Sequence, residues 1–161
     1  MQTEFFHRDL TRIFPWISPR TLIYWVERGL VQPSIENASG RGSARRYSYS
    51  NIIEIAFITE LLSIGLPFSK IQRIVKTKEY REIIENHRWD SVFWEYMRVV
   101  PARASKDRGA PHEFGVNFST RKEFKEYWGK YLFGSHFTSS VIIVSFSALE
   151  HFVREHIQKI S

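Results

Sequence analysis

Apolar positions in roughly the first half of the chain recur at helical spacing, interrupted by one polar stretch. Phe6, Leu10 and Ile13 fall three or four apart and predict a helix within residues 4–14, which Pro15 ends. Ser18 then offers an N-cap, with Pro19 at the first helical position, where its missing N–H costs nothing. The segment "PRTLIYWVER" reads as the next helix, and Gly29 is its natural stop. Leu22, Ile23 and Val26 can face inward; Arg20, Thr21, Tyr24 and Arg28 then share the other side. Two helices joined by a tight turn make a helix-turn-helix.

Residues 30–50, "LVQPSIENASGRGSARRYSYS", break the helical period with Pro33, Gly40, Gly42 and several serines. Val31 and the run Arg45–Tyr49 can pair as a short hairpin, a basic wing carrying Arg41 at its tip and Arg45 and Arg46 on its return. Ser50 is an N-cap candidate for a broad apolar helix that Gly65 closes, and Ser69 one for a helix placing Phe68, Ile71, Ile74 and Val75 inward. Beyond Thr77 the period changes repeatedly. "KEYREIIENHRW" is helical, "SVFWEYMRVV" alternates as a strand, and "HEFGVNFS" reads as its return. Thr120 with Glu123, and Ser147 with Glu150, form capping boxes opening two more helices, with "SSVIIVS" a buried strand between them. The fold class that follows is mainly α with short strands, an N-terminal winged helix-turn-helix over 1–77 and a small α+β module over 78–161.

Composition narrows the chemistry. Cysteine is absent, which excludes disulfides, thiolate zinc sites and thiol redox sensing. His151 and His156 lie five apart, off a common helix face, so a metal site there is disfavoured, and the other histidines are isolated. No phosphate-binding glycine loop or acid–base pair stands out, so neither catalytic residues nor a cofactor are expected, and the chain reads as a non-enzyme. No apolar run approaches the ~20 residues of a membrane span, and no secretory leader is visible, so a cytoplasmic protein away from membranes is expected. The net charge is +6. The first 77 residues hold ten Lys and Arg against six Asp and Glu, so the excess sits mainly where the helix-turn-helix lies. Basic charge on such a motif points to a polyanion.

Three motifs in order, "SPRTLIYWVERGL" (18–30), "RRYSYSN" (45–51) and "LLSIGLPFSKIQRIV" (61–75), resemble the MerR family of transcription regulators. The chain departs from that pattern at Ile23, where the family carries Arg, at Trp25 and Val26, and in the extra Leu66-Pro67. The resemblance implies a winged helix-turn-helix that binds double-stranded DNA as a homodimer on an inverted-repeat promoter site and distorts it in response to an effector. It further implies contact with RNA polymerase and an effector domain after the DNA-binding part, and the aromatics of the second half could line a pocket there for a small apolar or cationic effector. The DNA-binding candidates are Ser18, Arg20, Thr21, Tyr24, Arg28, Arg41, Arg45, Arg46 and Tyr47. Arg20, Thr21 and Tyr24 would meet base edges or phosphates from the first turns of a recognition helix, and the wing arginines would meet the backbone. Several of these have plainer readings. Trp25 is expected in the core, Tyr47 as buried support for the wing, Arg45 as a brace, and Arg28 as complement to a helix dipole. The many aromatics after residue 78 are needed for a core before they are needed for a pocket. The competing reading is an architectural or accessory DNA-binding protein whose second half binds another protein.

Overall fold

The computed structural model describes residues 4–35, 44–99, 112–132 and 138–160. Seven helices and five strands occur among them. They form two compact units, one made of residues 1–88 together with 147–161, the other of residues 89–146. The expected boundary after Thr77 falls inside the first unit, which also takes the C-terminal helix.

The first unit opens with strand β1 (Glu4–Phe6) and helix α1 (His7–Ile13). The expected helix thus starts later, because β1 pairs antiparallel with β2 (Arg46–Ser48), Phe5 opposite Tyr47. Both of those side chains are fully buried, and an ion pair links Glu4 to Arg46. The Asp9 carboxylate accepts from the Phe6 backbone N–H at 2.8 Å and caps α1. Helix α2 (Pro19–Glu27) starts at Ser18, whose hydroxyl accepts from the Thr21 N–H. It ends in a Schellman turn, with Leu30 N–H bonded to Trp25 O at 2.9 Å and Gly29 at φ +67.

The expected hairpin between Val31 and residues 45–49 does not form among the described residues. Val31 is buried in the core and β2 takes β1 as its partner. The tip of the expected wing, Arg41 included, lies outside the described residues.

Helix α3 (Tyr49–Ser63) is capped by Ser48, two residues earlier than expected, with Asn51 completing the box. Ser50 therefore lies within its first turn. The helix is apolar nearly all round: Ile52, Ile53, Ile55, Phe57, Ile58 and Leu61 are all buried. Such a helix can only be the centre of its unit. Helix α4 (Phe68–Ile74) follows, with Pro67 and not Ser69 at its N-cap, and α5 (Lys78–Glu85) after it is capped by Thr77. Tyr80 of α5 packs on Phe57 of α3, ring centroids 5.3 Å apart.

The second unit contains β3 (Ser91–Val99), β4 (His112–Thr120), α6 (Arg121–Leu132) and β5 (Thr138–Ser145). The sheet order is β4-β3-β5, antiparallel throughout. Period-two alternation sends neighbouring aromatics of β3 to opposite faces. Phe93 meets its cross-strand partner Phe118 at 5.3 Å, while Trp94 meets Tyr127 of α6 at 4.7 Å. The Thr120–Glu123 capping box forms as expected and starts α6.

The last helix, α7 (Phe146–Ile160), belongs to the first unit from Ser147 onward. It buries Val153 and Ile157 and sets Phe152 against Trp16 at 5.9 Å. Its Glu150 carboxylate accepts a hydrogen bond from the Tyr49 hydroxyl and pairs with Arg154.

Candidate nucleic-acid interface

Helix α2 is two-faced. Leu22 and Trp25 are buried, so the helix can expose only the opposite side. Arg20, Tyr24 and Arg28 are exposed there and Thr21 is half-buried. Ser18 and Thr21 hydroxyls lie 2.7 Å apart and both stand at the positive end of the helix. The Arg20 side chain makes no hydrogen bond or ion pair with the described residues.

One turn further on, the Arg28 guanidinium lies over the Tyr24 ring, 5.2 Å from its centroid, and Phe68 of α4 packs on the same ring at 5.5 Å. This Arg–Tyr–Phe stack fixes the direction of a side chain that is 41% exposed. Phe68 was expected to point inward; instead it is half-buried and supports Tyr24. Gln72 of α4 donates to the Arg28 carbonyl at 3.0 Å, closing the end of α2. Spacing within α2 could not have revealed Phe68 or Gln72, since both come from another helix.

The wing candidates are placed differently from one another. Arg46 is engaged by Glu4, and Tyr47 is 1% exposed, packed opposite Phe5. Arg45 is half-buried and its charge reaches His7 and Tyr47. Burial is the main cause that lowers the His7 pKa below its ordinary value, with Arg45 adding to it and a hydrogen bond to the Pro19 backbone opposing it. The structure therefore brings Ser18, Arg20, Thr21, Tyr24 and Arg28 onto one helix face. It puts Arg46 and Tyr47 on the β1–β2 ladder and Arg45 just before it.

What holds the wing's two ends together is a side chain and not a ladder. Asn51 is 3% exposed. Its Oδ1 accepts from the Ser34 N–H at 2.9 Å and the Ser48 N–H at 3.1 Å, one residue on each side of the wing. Its Nδ2 donates to the Gln32 carbonyl at 2.9 Å and to the Glu54 carboxylate at 2.6 Å. The only sequence signal was a polar residue three after a serine, and Asn is not the usual partner in a capping box.

Comparison with known proteins identifies the domain in which α2 lies. Residues 16–78 match the family model described as MerR HTH family regulatory protein, so the chain carries a MerR-type helix-turn-helix domain. Relatives include an uncharacterized HTH-type transcriptional regulator of Mycobacterium bovis and two of Mycobacterium tuberculosis. Each is 39% identical over 56 residues, which is 35% of this chain and 25% of the relative. The match therefore spans about a quarter of the length of these curated relatives. Among the described residues no helix is long and apolar enough to cross a membrane.

Proposed function

We propose that this protein is a cytoplasmic, non-enzymatic transcriptional regulator that binds promoter DNA as a homodimer. Helix α2 enters the major groove with Arg20, Thr21 and Tyr24 toward base edges and phosphates, Ser18 at a phosphate, and Arg28 holding Tyr24 in line. Arg41, Arg45 and Arg46 meet the flanking backbone, over a wing supported by Tyr47. The dimer occupies an inverted repeat and distorts the duplex, the deformation being offset by these contacts, so that RNA polymerase meets a realigned promoter. Residues 1–77 read DNA, and residues 78–161 supply dimerisation or effector response.

The observation that carries this reading is the exposed row on α2 opposite Leu22 and Trp25, capped at Ser18 and stiffened at Tyr24 by Arg28 and Phe68. The matched MerR-type domain supports it. The test is selection of a preferred duplex from a random pool, followed by titration of the wild type and Arg20→Ala. The variant should lose about 1–3 kcal/mol on the selected duplex and much less on random DNA. An equal loss on both would reduce Arg20 to a phosphate contact. Failure of the wild type to prefer any duplex at modest salt overturns the reading.

A further inference from the structure

The sheet of the second unit has the order β4-β3-β5, so β5 (Thr138–Ser145) is an edge strand. Among the described residues its ladder runs to β3 alone. An edge strand offers backbone N–H and C=O groups to whatever strand comes next, and soluble proteins blunt such edges with charge, proline or brevity. Strand β5 uses none of these. Its eight residues, TSSVIIVS, include no Lys, Arg, Asp, Glu or Pro. An uncharged run of β-branched residues on an open edge is an aggregation hazard unless a partner covers it. The other edge, β4, carries Glu113 and Gly115 and runs directly into α6.

The layer above the sheet is also incomplete at β5. Trp94 of β3 and Ile143 of β5 are cross-strand partners and share a face. Trp94 lies under α6, against Phe124 at 5.9 Å and Tyr127 at 4.7 Å, and is 4% exposed. Ile143, one strand further out, is 48% exposed. On the opposite face Val144, paired with Phe93, is buried. The open edge and the uncovered aliphatic side chain therefore coincide.

We propose that β5 pairs antiparallel with β5 of a second copy, about a twofold axis at Ile142, so that two three-stranded sheets join into one.

Charge and symmetry select a second copy as the occupant. An uncharged strand meets its own copy with no like-charge repulsion, and offers a charged donor strand nothing to recognise. An isologous antiparallel pair also closes at two and leaves no β5 edge over. Register places the axis. Side chains alternate between faces, so a twofold axis normal to a sheet must set one residue opposite itself. The middle of β5 falls between Val141 and Ile142. An axis at Ile142 puts Ile143 opposite Val141 of the partner subunit, aliphatic against aliphatic, on the face where Ile143 is exposed. An axis at Val141 would put it opposite Ser139 of the partner subunit. Helix pairing through α5 is a poor rival. That helix has eight residues, ~12 Å, about one heptad, and its Tyr80, Ile83 and Ile84 are buried in its own unit. The inference rests on the homodimer of the function proposed above and gives it an interface.

The test is sedimentation equilibrium on the full chain without DNA, followed by a cysteine scan. The wild type should sediment at twice the chain mass. Ile143→Lys sets two ammonium groups on the shared face and should raise the dimer dissociation constant about tenfold or more while melting cooperatively, since Ile143 is already half in water. Ile143→Val should leave the dimer as it was. The chain has no cysteine, so each engineered disulfide has one possible identity. Ile142→Cys should cross-link to itself on mild oxidation. Val141→Cys and Ile143→Cys should not do so singly, because each is displaced from its own copy by about two strand rises, beyond the ~7 Å reach of a disulfide. Mixed together, those two variants should cross-link to each other. A dimer that survives Ile143→Lys, or that cross-links equally at all three positions, overturns the β5 interface and leaves the homodimer standing. A wild-type monomer at about 100 μM overturns both. A dimer with this cross-linking pattern that prefers no duplex supports the interface and counts against the DNA-binding reading.

Discussion

Burial of the Glu54 carboxyl raises its pKa to about 7, from 4.5 for an unperturbed glutamate. The folded protein therefore binds a proton between those values that the unfolded chain has already released. Stability from this group is full below about pH 4.5 and declines as pH rises toward 7, by up to ~3 kcal/mol at ~1.4 kcal/mol per unit. His7 acts in the opposite sense. Its pKa is lowered, so the unfolded chain binds the extra proton and stability is lost as pH falls below the ordinary histidine value. The two trends partly cancel in the wild type. Glu54→Gln removes one of them: the variant should match wild type near pH 4 and exceed it by ~2–3 kcal/mol near pH 8 in urea unfolding. An equal difference at both pH values would mean that the carboxyl is not desolvated in the fold. Nothing in the sequence marked Glu54, because it sits among Ile52, Ile53 and Ile55 and reads as one polar position on an apolar helix. Its environment comes from α5 and the wing base, which are distant in sequence.

At the scale of elements, the ends of the helices carry much of the legible information. Ser18, Gly29, Gly65, Thr77 and Thr120 act as caps or stops, since each solves a local hydrogen-bonding problem at a helix end. The N-caps of α3 and α4 were misplaced by two residues for a tertiary reason. Ser48 already ends the β1–β2 ladder, and the extra Leu66-Pro67 puts a rigid residue where a cap is needed. Strand β1 was read as helix because Phe6, Leu10 and Ile13 keep helical spacing whether or not the first of them lies in a strand. Three helices end with a left-handed residue: Gly29 at φ +67, Gly65 at φ +85 and His87 at φ +52. A Cβ at either glycine would meet nothing within 4 Å, so only backbone strain is at stake. Gly29→Ala and Gly65→Ala should each cost about 1–2 kcal/mol. His87→Gly should gain about 0.5–1 kcal/mol, the released strain being partly offset by the freer unfolded chain. Urea midpoints with unchanged slopes would check all three, and a destabilised His87→Gly would show that the side chain contributes more than its backbone costs.

Over the whole molecule, the chain leaves the first unit at Arg88 and returns to it at Ser147. The sequence reading divided the chain at Thr77 because the periodicity changes there, but hydrophobic spacing does not say which core a helix joins. Val153 and Ile157 would look the same on a helix packed against the three-stranded sheet. The second unit is thus an insertion, and its own topology suits it to be one. Val92 near the start of β3 is paired with Ser145 at the end of β5, so its entry and exit strands run side by side, about 5 Å apart. Replacing residues 89–146 with a short Gly/Ser linker should therefore leave a protein of residues 1–88 and 147–161 that unfolds cooperatively. Deleting 147–161 from that protein removes two buried aliphatic side chains at ~1.5–3 kcal/mol each, as well as the Glu150 bond to Tyr49. The loss should be several kcal/mol in urea unfolding, with Trp16 fluorescence changing as Phe152 leaves its side. If residues 1–88 alone prove as stable as the two-piece unit, α7 contributes packing without stability, and the helix-turn-helix stands without its C-terminal helix.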